Sequence, residues 1–446
     1  MATDQLGGSQ IAHVDPEPVD TRSVCVVGLG YVGLPIAVAF DRAGHTVIGL
    51  DVDADKVDRL TDGEDPTGDV GAAAIADADV EFTTDETMIA DAEFVIIAVP
   101  TPVDDLENPN LTFVESAGET IGRQLSEGST VVLESTVYPG ATEEILAPAI
   151  ESTSGFTAGE EFTLGYSPER LNPGDDDHTL QDIVKIVSGQ DDETLAELAE
   201  LYESVVDAGV HRAPEITVAE AAKCIENIQR DLNIALMNEL SITCNNLGLD
   251  THAVLDAAST KWNFHDYRPG LVGGHCIPVD PFYIIYESER NGFSPKLIQQ
   301  SREINDYMPK HVAEEVLKGL NECGNVLQES RVLVLGLAYK PNVGDVRTSV
   351  IGETITKLST YGVDVVGYDP HADTETAAAE FDIEILDDLS FEEIDGVVLA
   401  TSHDEFGDIE FLSVLDELAA NPLLVDVPGF YTPETYAETP LTYRRI

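Results

Sequence analysis

Apolar residues fall along the chain in two alternating rhythms. Ser23-Val24-Cys25-Val26-Val27 is a short unbroken apolar run, the kind that fills a strand buried on both faces. Phe94-Val95-Ile96-Ile97-Ala98-Val99 and Thr130 to Leu133 are two more, and Thr46 to Leu50 reads as a fourth. Between the first run and Thr46, apolar positions recur at helical spacing through Phe40. The pattern returns after Arg331, with strands near Arg331–Gly336, Val363–Tyr368, Gly396–Ala400 and Leu423–Val427. Strands alternating with helices predict two doubly wound parallel sheets of Rossmann-like α/β type. Between them, Pro214 to Leu247 predicts one long helix. Thr217 with Glu220 predicts its capping box and Gly248 its C′ residue. At ~1.5 Å per residue it is long enough to bridge two domains. Ile225, Ile228, Leu232, Leu236 and Leu240 give it an apolar stripe. Lys223, Asn227 and Arg230, at i, i+4 and i+7, share a separate polar stripe. A shorter helix is expected near 250–258.

Composition narrows the class. A chain of 446 residues exceeds one core, and 43% hydrophobic content is enough to fold several. Lys and Arg total 23 against 84 Asp and Glu, a net charge of −61. Charge of that size repels nucleic acid and anionic membrane surfaces. The acids are spread along the whole chain rather than gathered in a tail. A carboxylate surface suits a salt-rich cytosol, where the Debye length shrinks to roughly 3 Å at 1 M. The five cysteines are odd in number and far apart, which argues against a disulfide framework or a metal site. No signal segment opens the chain and no apolar run is long enough for a bilayer, so a soluble, cytoplasmic protein is expected. Residues 1–21, with Gly7, Gly8, Pro16 and Pro18 among acids, read as a flexible tail.

Five regions carry chemistry. Gly28-Leu29-Gly30-Tyr31-Val32-Gly33 follows a strand and opens a helix, and Asp51 closes the next strand. Glycines there allow the tight turn and the close approach of a pyrophosphate to a helix N-terminus. Asp51 is placed for ribose hydroxyls and would repel a 2′-phosphate, so NAD is favoured over NADP. Pro100-Thr101-Pro102 and Thr136 sit at strand ends, at the ligand-binding edge of such sheets. Tyr166-Ser167-Pro168-Glu169-Arg170-Leu171-Asn172-Pro173-Gly174 puts an acid beside one of the few cations. Gly273-Gly274-His275-Cys276-Ile277-Pro278-Val279-Asp280-Pro281 presents a thiol behind two glycines, which would let a ligand come close. At the end of the first strand of the second sheet, Lys340 and Arg347 suit a nucleotide diphosphate, or a loop salt bridge with Asp345.

These motifs resemble the UDP-glucose/GDP-mannose dehydrogenase family over nearly everything after residue 21. Within it, Ser167-Pro168-Glu169-Arg170 and Gly274-His275-Cys276-Ile277-Pro278-Val279-Asp280-Pro281-Phe282-Tyr283 resemble the branch that oxidises UDP-N-acetylglucosamine or UDP-N-acetylmannosamine. Arg170 and His275 depart from the UDP-glucose and GDP-mannose branches. The resemblance implies an NAD-binding domain over 22–212, a central helical dimerisation domain over 213–325 and a UDP-sugar-binding domain over 326–446. It implies two oxidations at C6, from alcohol to aldehyde to acid, with Cys276 carrying a thioester. Lys223 and Asp280, through a water, would act as base and oxyanion partner, and Asn227 would donate to the oxyanion. Glu169 and Thr136 would place the hydrolytic water. Gly28, Gly30, Tyr31, Val32, Gly33, Asp51, Pro100, Thr101, Thr136 and Arg347 would hold NAD. Glu169, Arg170, Lys223, Asn227, Arg230, Arg268, Gly273 and Lys340 would hold the UDP-sugar, Arg268 from across a homodimer.

Overall fold

The computed structural model describes residues 20–68, 70–104, 106–171 and 179–446. Residues 1–19 of the expected tail and Asn172–Gly174 of the Glu169 loop lie outside these.

The apolar runs become the middle strands of two sheets. The first has β1 (Ser23–Val27), β2 (Thr46–Leu50), β3 (Glu81–Thr83), β4 (Phe94–Ile97), β5 (Thr130–Leu133), β6 (Thr163–Tyr166), β7 (Lys185–Gly189) and β8 (Val210–Arg212), in the order 3-2-1-4-5-6-7-8. The second has β9 (Arg331–Leu335), β10 (Asp364–Tyr368), β11 (Glu384–Ile385), β12 (Gly396–Leu399), β13 (Leu423–Asp426) and β14 (Thr442–Arg445), in the order 11-10-9-12-13-14. The central orders match: in each sheet the first strand lies between the second and the fourth. A crevice therefore opens beyond the carboxyl ends of β1 and β4, and another beyond β9 and β12. All pairings of the second sheet are parallel. The first departs from the expected all-parallel pattern at β6·β7, which is antiparallel through Gly165↔Gly189 and Tyr166↔Ser188.

Local residues explain the first turn. Gly28 has φ +95°, a conformation costly for any other residue, and a Cβ there would meet the Ala98 carbonyl oxygen at 2.8 Å. A Cβ on Gly33 would meet the Gly28 carbonyl at 1.8 Å, so the helix α1 (Gly33–Arg42) starts this close to its strand only with glycine.

Helices α2 (Asp192–Glu203), α3 (Ile216–Leu247), α4 (Asp280–Arg290) and α5 (Lys296–Glu322) complete the frame needed here. The long helix α3 corrects two expectations. It starts at Ile216 with Glu215 as N-cap and no side-chain capping bond. Glu220 is instead drawn inward, where its carboxylate accepts from Gly140 N (2.5 Å), Thr142 N (2.9 Å) and Thr142 Oγ1 (2.7 Å). Nor does the apolar stripe face the core. Ile225, Leu236 and Leu240 are exposed, with only Ile228 of that set fully buried. The buried face is mixed: Glu220, Lys223, Asn227, Asp231, Asn238 and Ser241 lie among apolar residues such as Ala219, Cys224, Ile228 and Met237.

Packing of α3 against α5 therefore rests on a buried polar network. Arg302 reaches Asp231 Oδ1, Ser301 Oγ donates to Asp231 Oδ2 (3.0 Å), and Asn305 Nδ2 donates to Asp231 Oδ1 (2.8 Å). Asn238 Nδ2 donates to Asn305 Oδ1 (2.8 Å), while Asn238 Oδ1 accepts from Gly270 N (2.8 Å). Asp231 is fully buried and Arg302 nearly so. Among the described residues no helix is long and apolar enough to cross a membrane.

Truncating Arg302 to Ala leaves Asp231 buried without its cation. Stability in urea unfolding is expected to fall by about 3–5 kcal/mol. A loss no larger than that of an exposed arginine would show that the network does not hold α3 to α5.

Candidate active site

The nucleophile loop docks on the second sheet's first loop. Gly274 has φ +92° and its N–H donates to the Thr348 carbonyl at 3.1 Å. A Cβ on Gly273 would meet that same carbonyl at 2.7 Å, and one on Gly274 would meet the Tyr339 ring at 2.9 Å. The two glycines thus let residues 339–348 approach closely, and both also stand on the wall of the cavity beside Lys340. His275 sits between two rings, 6.3 Å from Tyr31 and 6.3 Å from Tyr339. The loop then delivers Cys276 and Asp280 to α3.

Asp280 opens α4 and is buried. Asn227 Nδ2 donates to its Oδ2 at 2.6 Å, and Lys223 Nζ lies 4.0 Å from the same oxygen. Burial pushes the carboxyl up to about 6, against the opposing pull of Lys223 and Asn227. That value puts Asp280 near the working pH of a proton acceptor. Burial also raises the Cys276 thiol, although Lys223 pulls it down. Positive charge near the thiol does not by itself make it a thiolate here.

Glu169 has a different environment. Its Oε1 accepts from Arg170 N and Leu171 N, each at 2.6 Å, and its Oε2 accepts from Lys185 Nζ at 3.0 Å. Burial would raise this carboxyl, but Lys185 and the two N–H groups outweigh it and hold the group below its ordinary range. The two buried carboxyls of the site are thus pushed apart, Asp280 upward and Glu169 downward. Lys185 was not visible as a site residue in the sequence.

Two cavities meet at the nucleophile. One, of about 720 Å³, lies at the β1/β4 crevice, lined by Tyr31, Val32, Pro100, Thr101, Thr136 and Glu169. The other, of about 1120 Å³, lies at the β9/β12 crevice, lined by Arg170, Asn227, Arg230, Arg268, Lys340 and Arg347. Lys223, His275 and Cys276 line both. The residues of the first cavity fit NAD. Gly30, which has open space where a Cβ would stand, lines the second cavity rather than the first. Asp51 follows β2 with its carboxylate accepting from Leu29 N (2.8 Å), Asp53 N (3.0 Å) and Lys56 Nζ (2.8 Å). Lys56, the cation on Asp51, gave no signal in the sequence.

The cations of the second cavity are mostly held by acids. Arg170 Nη2 is 2.7 Å from Glu226 Oε1, and its Nη1 donates to the Val184 carbonyl. Arg268 pairs with Asp256 (2.8 Å) and Asp266 (2.9 Å). Arg347 folds back on Asp345 at 2.9 Å, the salt-bridge alternative, yet still lines the cavity. Lys340 stands 5.9 Å over the Tyr339 ring. Among the described residues no group of three or more His, Cys, Asp or Glu could hold a metal ion.

The Asp280 environment makes a titration test direct. Lys223 is the largest influence favouring the ionised carboxylate, so Lys223→Met is expected to move the Asp280 midpoint above about 6, followed by carbon-13 NMR of labelled aspartates. A midpoint that stays or falls would show that Lys223 does not act on Asp280.

Comparison with known proteins agrees with the two-crevice plan. Residues 22–206, 217–307 and 333–433 match the NAD binding, central and UDP binding domains of the UDP-glucose/GDP-mannose dehydrogenase family. A protein named CapL from Staphylococcus aureus is 46% identical over 385 residues, covering 86% of this chain and 91% of its own. The UDP-N-acetyl-D-glucosamine 6-dehydrogenase of Pseudomonas aeruginosa is 44% identical over 385 residues, with the same coverage. The solved structure of UDP-D-ManNAc dehydrogenase from Pyrococcus horikoshii superposes with a TM-score of 0.86 at 27% identity, over 95% of this chain and 99% of that one. With two Rossmann-like crevices opening onto one cysteine, and matches along its length, the chain is a member of the UDP-glucose/GDP-mannose dehydrogenase family and binds NAD.

Proposed function

We propose that this protein oxidises C6 of a UDP-N-acetylhexosamine to the uronic acid in two NAD-dependent steps joined by a Cys276 thioester. The observation that carries the proposal is that Cys276 and Lys223 line both cavities. A sugar whose diphosphate lies near Lys340 thereby presents C6 to the thiol and to the cofactor crevice at once. The relative at 44% identity favours the gluco epimer of the sugar.

NAD, when bound, accepts a hydride from C6 in each step. Asp280, ionised above about pH 6, takes the proton of the C6 hydroxyl as the aldehyde forms. The Cys276 sulfur then bonds to the aldehyde carbon, and the thiol proton passes to the aldehyde oxygen. Protonated as it stands, the thiol gains nothing from resting as a thiolate, and Lys223 and Asn227 stabilise the oxygen as charge develops on it. Once Asp280 has given its first proton up to solvent, loss of the second hydride, with the hemithioacetal proton going to Asp280, leaves a thioester. Water then bonds to its carbonyl carbon, the C–S bond breaks, and the water's proton returns the sulfur to thiol. Glu169 and Thr136, on the wall of the first cavity, orient that water. Arg170 and His275, the departures from the other branches, line the second cavity together with Lys223 and Cys276.

The protein is also read as a homodimer in a salt-rich cytosol. The exposed Ile225, Leu236 and Leu240 of α3 support pairing, because water would otherwise cover them. The charge of −61 supports the salt requirement.

Purified enzyme assayed with UDP-N-acetylglucosamine, UDP-N-acetylmannosamine and UDP-glucose is expected to release two NADH per uronate and to favour an acetamido sugar in kcat/KM. A higher value for UDP-glucose than for both overturns the substrate, and one NADH per product overturns the thioester. Cys276→Ser is expected to lose steady turnover while sugar mass accumulates on the protein, whereas Cys276→Ala retaining near-full uronate formation would remove the thiol from the chemistry.

The melting temperature is expected to rise between dilute buffer and about 2 M KCl, where screening approaches its limit. Light scattering in that salt is expected to give twice 48.0 kDa. A flat melting curve removes the salt reading, and a single-chain mass removes the pairing.

A further inference from the structure

Behind Glu169 lies a buried chain of polar groups that the catalytic scheme does not use. Lys185, on β7, is almost wholly inaccessible at 2% exposure. Its Nζ lies 2.9 Å from Glu134 Oε2 and 3.0 Å from Glu169 Oε2. Glu134, at the end of β5, is 1% exposed, and Tyr202 of α2 donates to its Oε1. The Lys185 ammonium also stands 5.4 Å over the Tyr202 ring. Three secondary-structure elements and the β6 exit loop thus converge on one buried lysine.

A lysine is rarely placed here without a purpose. Stripping an ammonium of water is costly, and two carboxylates around it leave a net negative cluster that hydrophobic residues of similar volume would avoid. The packing is already paid in apolar neighbours on the same strand, Ile186 and Val187. What the lysine adds is its effect on Glu169. A carboxylate offers about four acceptor positions. Arg170 N and Leu171 N take two on Oε1, and Lys185 takes one on Oε2. Among the described residues Lys185 is the one donor on Oε2, and Glu169 lies on the wall of the cavity that holds Cys276.

We propose that Lys185 is a positioning residue for thioester hydrolysis: it locks Glu169 as an acceptor whose Oε2 holds the attacking water. The proposal rests on the thioester reading above and adds to it a residue that touches neither substrate nor cofactor. In the step concerned, the water oxygen bonds to the thioester carbon, the C–S bond breaks with its electron pair going to sulfur, and the water's proton restores the Cys276 thiol. Glu169 accepts a hydrogen bond from that water throughout and is not consumed.

Around Lys185 and Glu169 stand Glu134 from β5, Tyr166 from β6 and Tyr202 from α2, with Lys223 and Asp280 lining the same cavity as Glu169. The Arg170 guanidinium is turned away to Glu226. Burial would lower the Lys185 ammonium, but the two carboxylates outweigh it and keep the group charged. Removing that charge must raise Glu169, because its ionised form loses its nearest cation. Hydrolysis, which needs the ionised form, then fails at higher pH than in the parent. Removing Glu134 takes away a like charge and cannot raise it.

The test is the decay of the Cys276 thioester, formed in a single turnover with NAD and UDP-N-acetylglucosamine and followed by intact-protein mass across pH. In Lys185→Met and Lys185→Gln the first NADH burst is expected to persist. Thioester decay is expected to slow by about 100-fold, as for a group misplaced by an ångström. The acid limb of that decay is expected to move to higher pH, with Lys185→Arg restoring both. Glu134→Gln is expected to leave the limb in place or move it lower. If Lys185→Met does not fold, Lys185→Gln, which keeps a hydrogen-bonding end but no charge, carries the same expectation. Burst and decay falling together with an unmoved limb overturns the role of Lys185, and so does a limb that rises in Glu134→Gln. A parent enzyme that forms no Cys276 adduct overturns the thioester reading itself, and is distinguished by that.

Discussion

The long helix α3 buries an unusual share of polar side chains, and the parts of the chain around it are placed by their partners. Glu220, Lys223, Asn227, Asp231, Asn238 and Ser241 are buried, while Ile225, Leu236 and Leu240 are exposed. Burying a polar stripe costs free energy unless every group finds a partner. Each partner here comes from a different part of the chain. Glu220 takes the N–H groups after β5, Asn227 takes Asp280, Asp231 takes Arg302 and Asn305, and Asn238 takes the backbone of Gly270. One helix face therefore fixes the first sheet, the nucleophile loop and α5 relative to one another. Because these bonds are directional, they set orientation more sharply than an apolar seam of equal area would. The same requirement explains why Lys223 and Asn227 are both held in place and chemically available.

How much of this was legible follows from where each signal resides. The first crevice could be read because its determinants are contiguous: the glycine turn and Asp51 lie within one βαβ stretch. The pairing of Arg347 with Asp345 was visible as an alternative for the same reason, the two being two residues apart. The stripes on α3 were found but not their sense, since a 3.6-residue period says that a helix has two faces and not which is inside. The capping box failed because Glu220 had a better-placed set of donors 78 and 80 residues away. Lys185 gave no signal at all. It sits in an apolar strand, and its partners are 51 and 16 residues distant, brought together only by the order β5-β6-β7. The antiparallel joint between β6 and β7 was equally hidden.

The two glycines before His275 serve the packing of the protein as well as the cavity they line. A side chain at either position would strike Thr348 or Tyr339. Their backbone contact seats the nucleophile loop on the second sheet's first loop, which also carries Lys340 and Arg347. Cys276 is therefore referenced to the diphosphate-binding side of the molecule through its own main chain, and to α3 through Asp280.

A chain of −61 must bind two anionic ligands, and the local field cannot come from net charge. It comes from concentrating scarce cations at the cleft and cancelling most of them until they are needed. Arg170, Arg268 and Arg347 are each satisfied by an acid within the protein. An anion arriving there competes with a carboxylate rather than meeting a bare charge, so the gain on binding is the difference between two ion pairs. That difference is small for a generic anion and large only for one that engages several of these arginines together while also filling the sugar and cofactor positions. The acidic surface repels weakly bound anions and the paired arginines decline them, which leaves shape and multiplicity of contact to select the ligand. Lys223 stands apart, because its neighbour Asp280 lies 4.0 Å away and is itself protonated below about pH 6. The long contact leaves Lys223 able to turn toward a developing oxyanion.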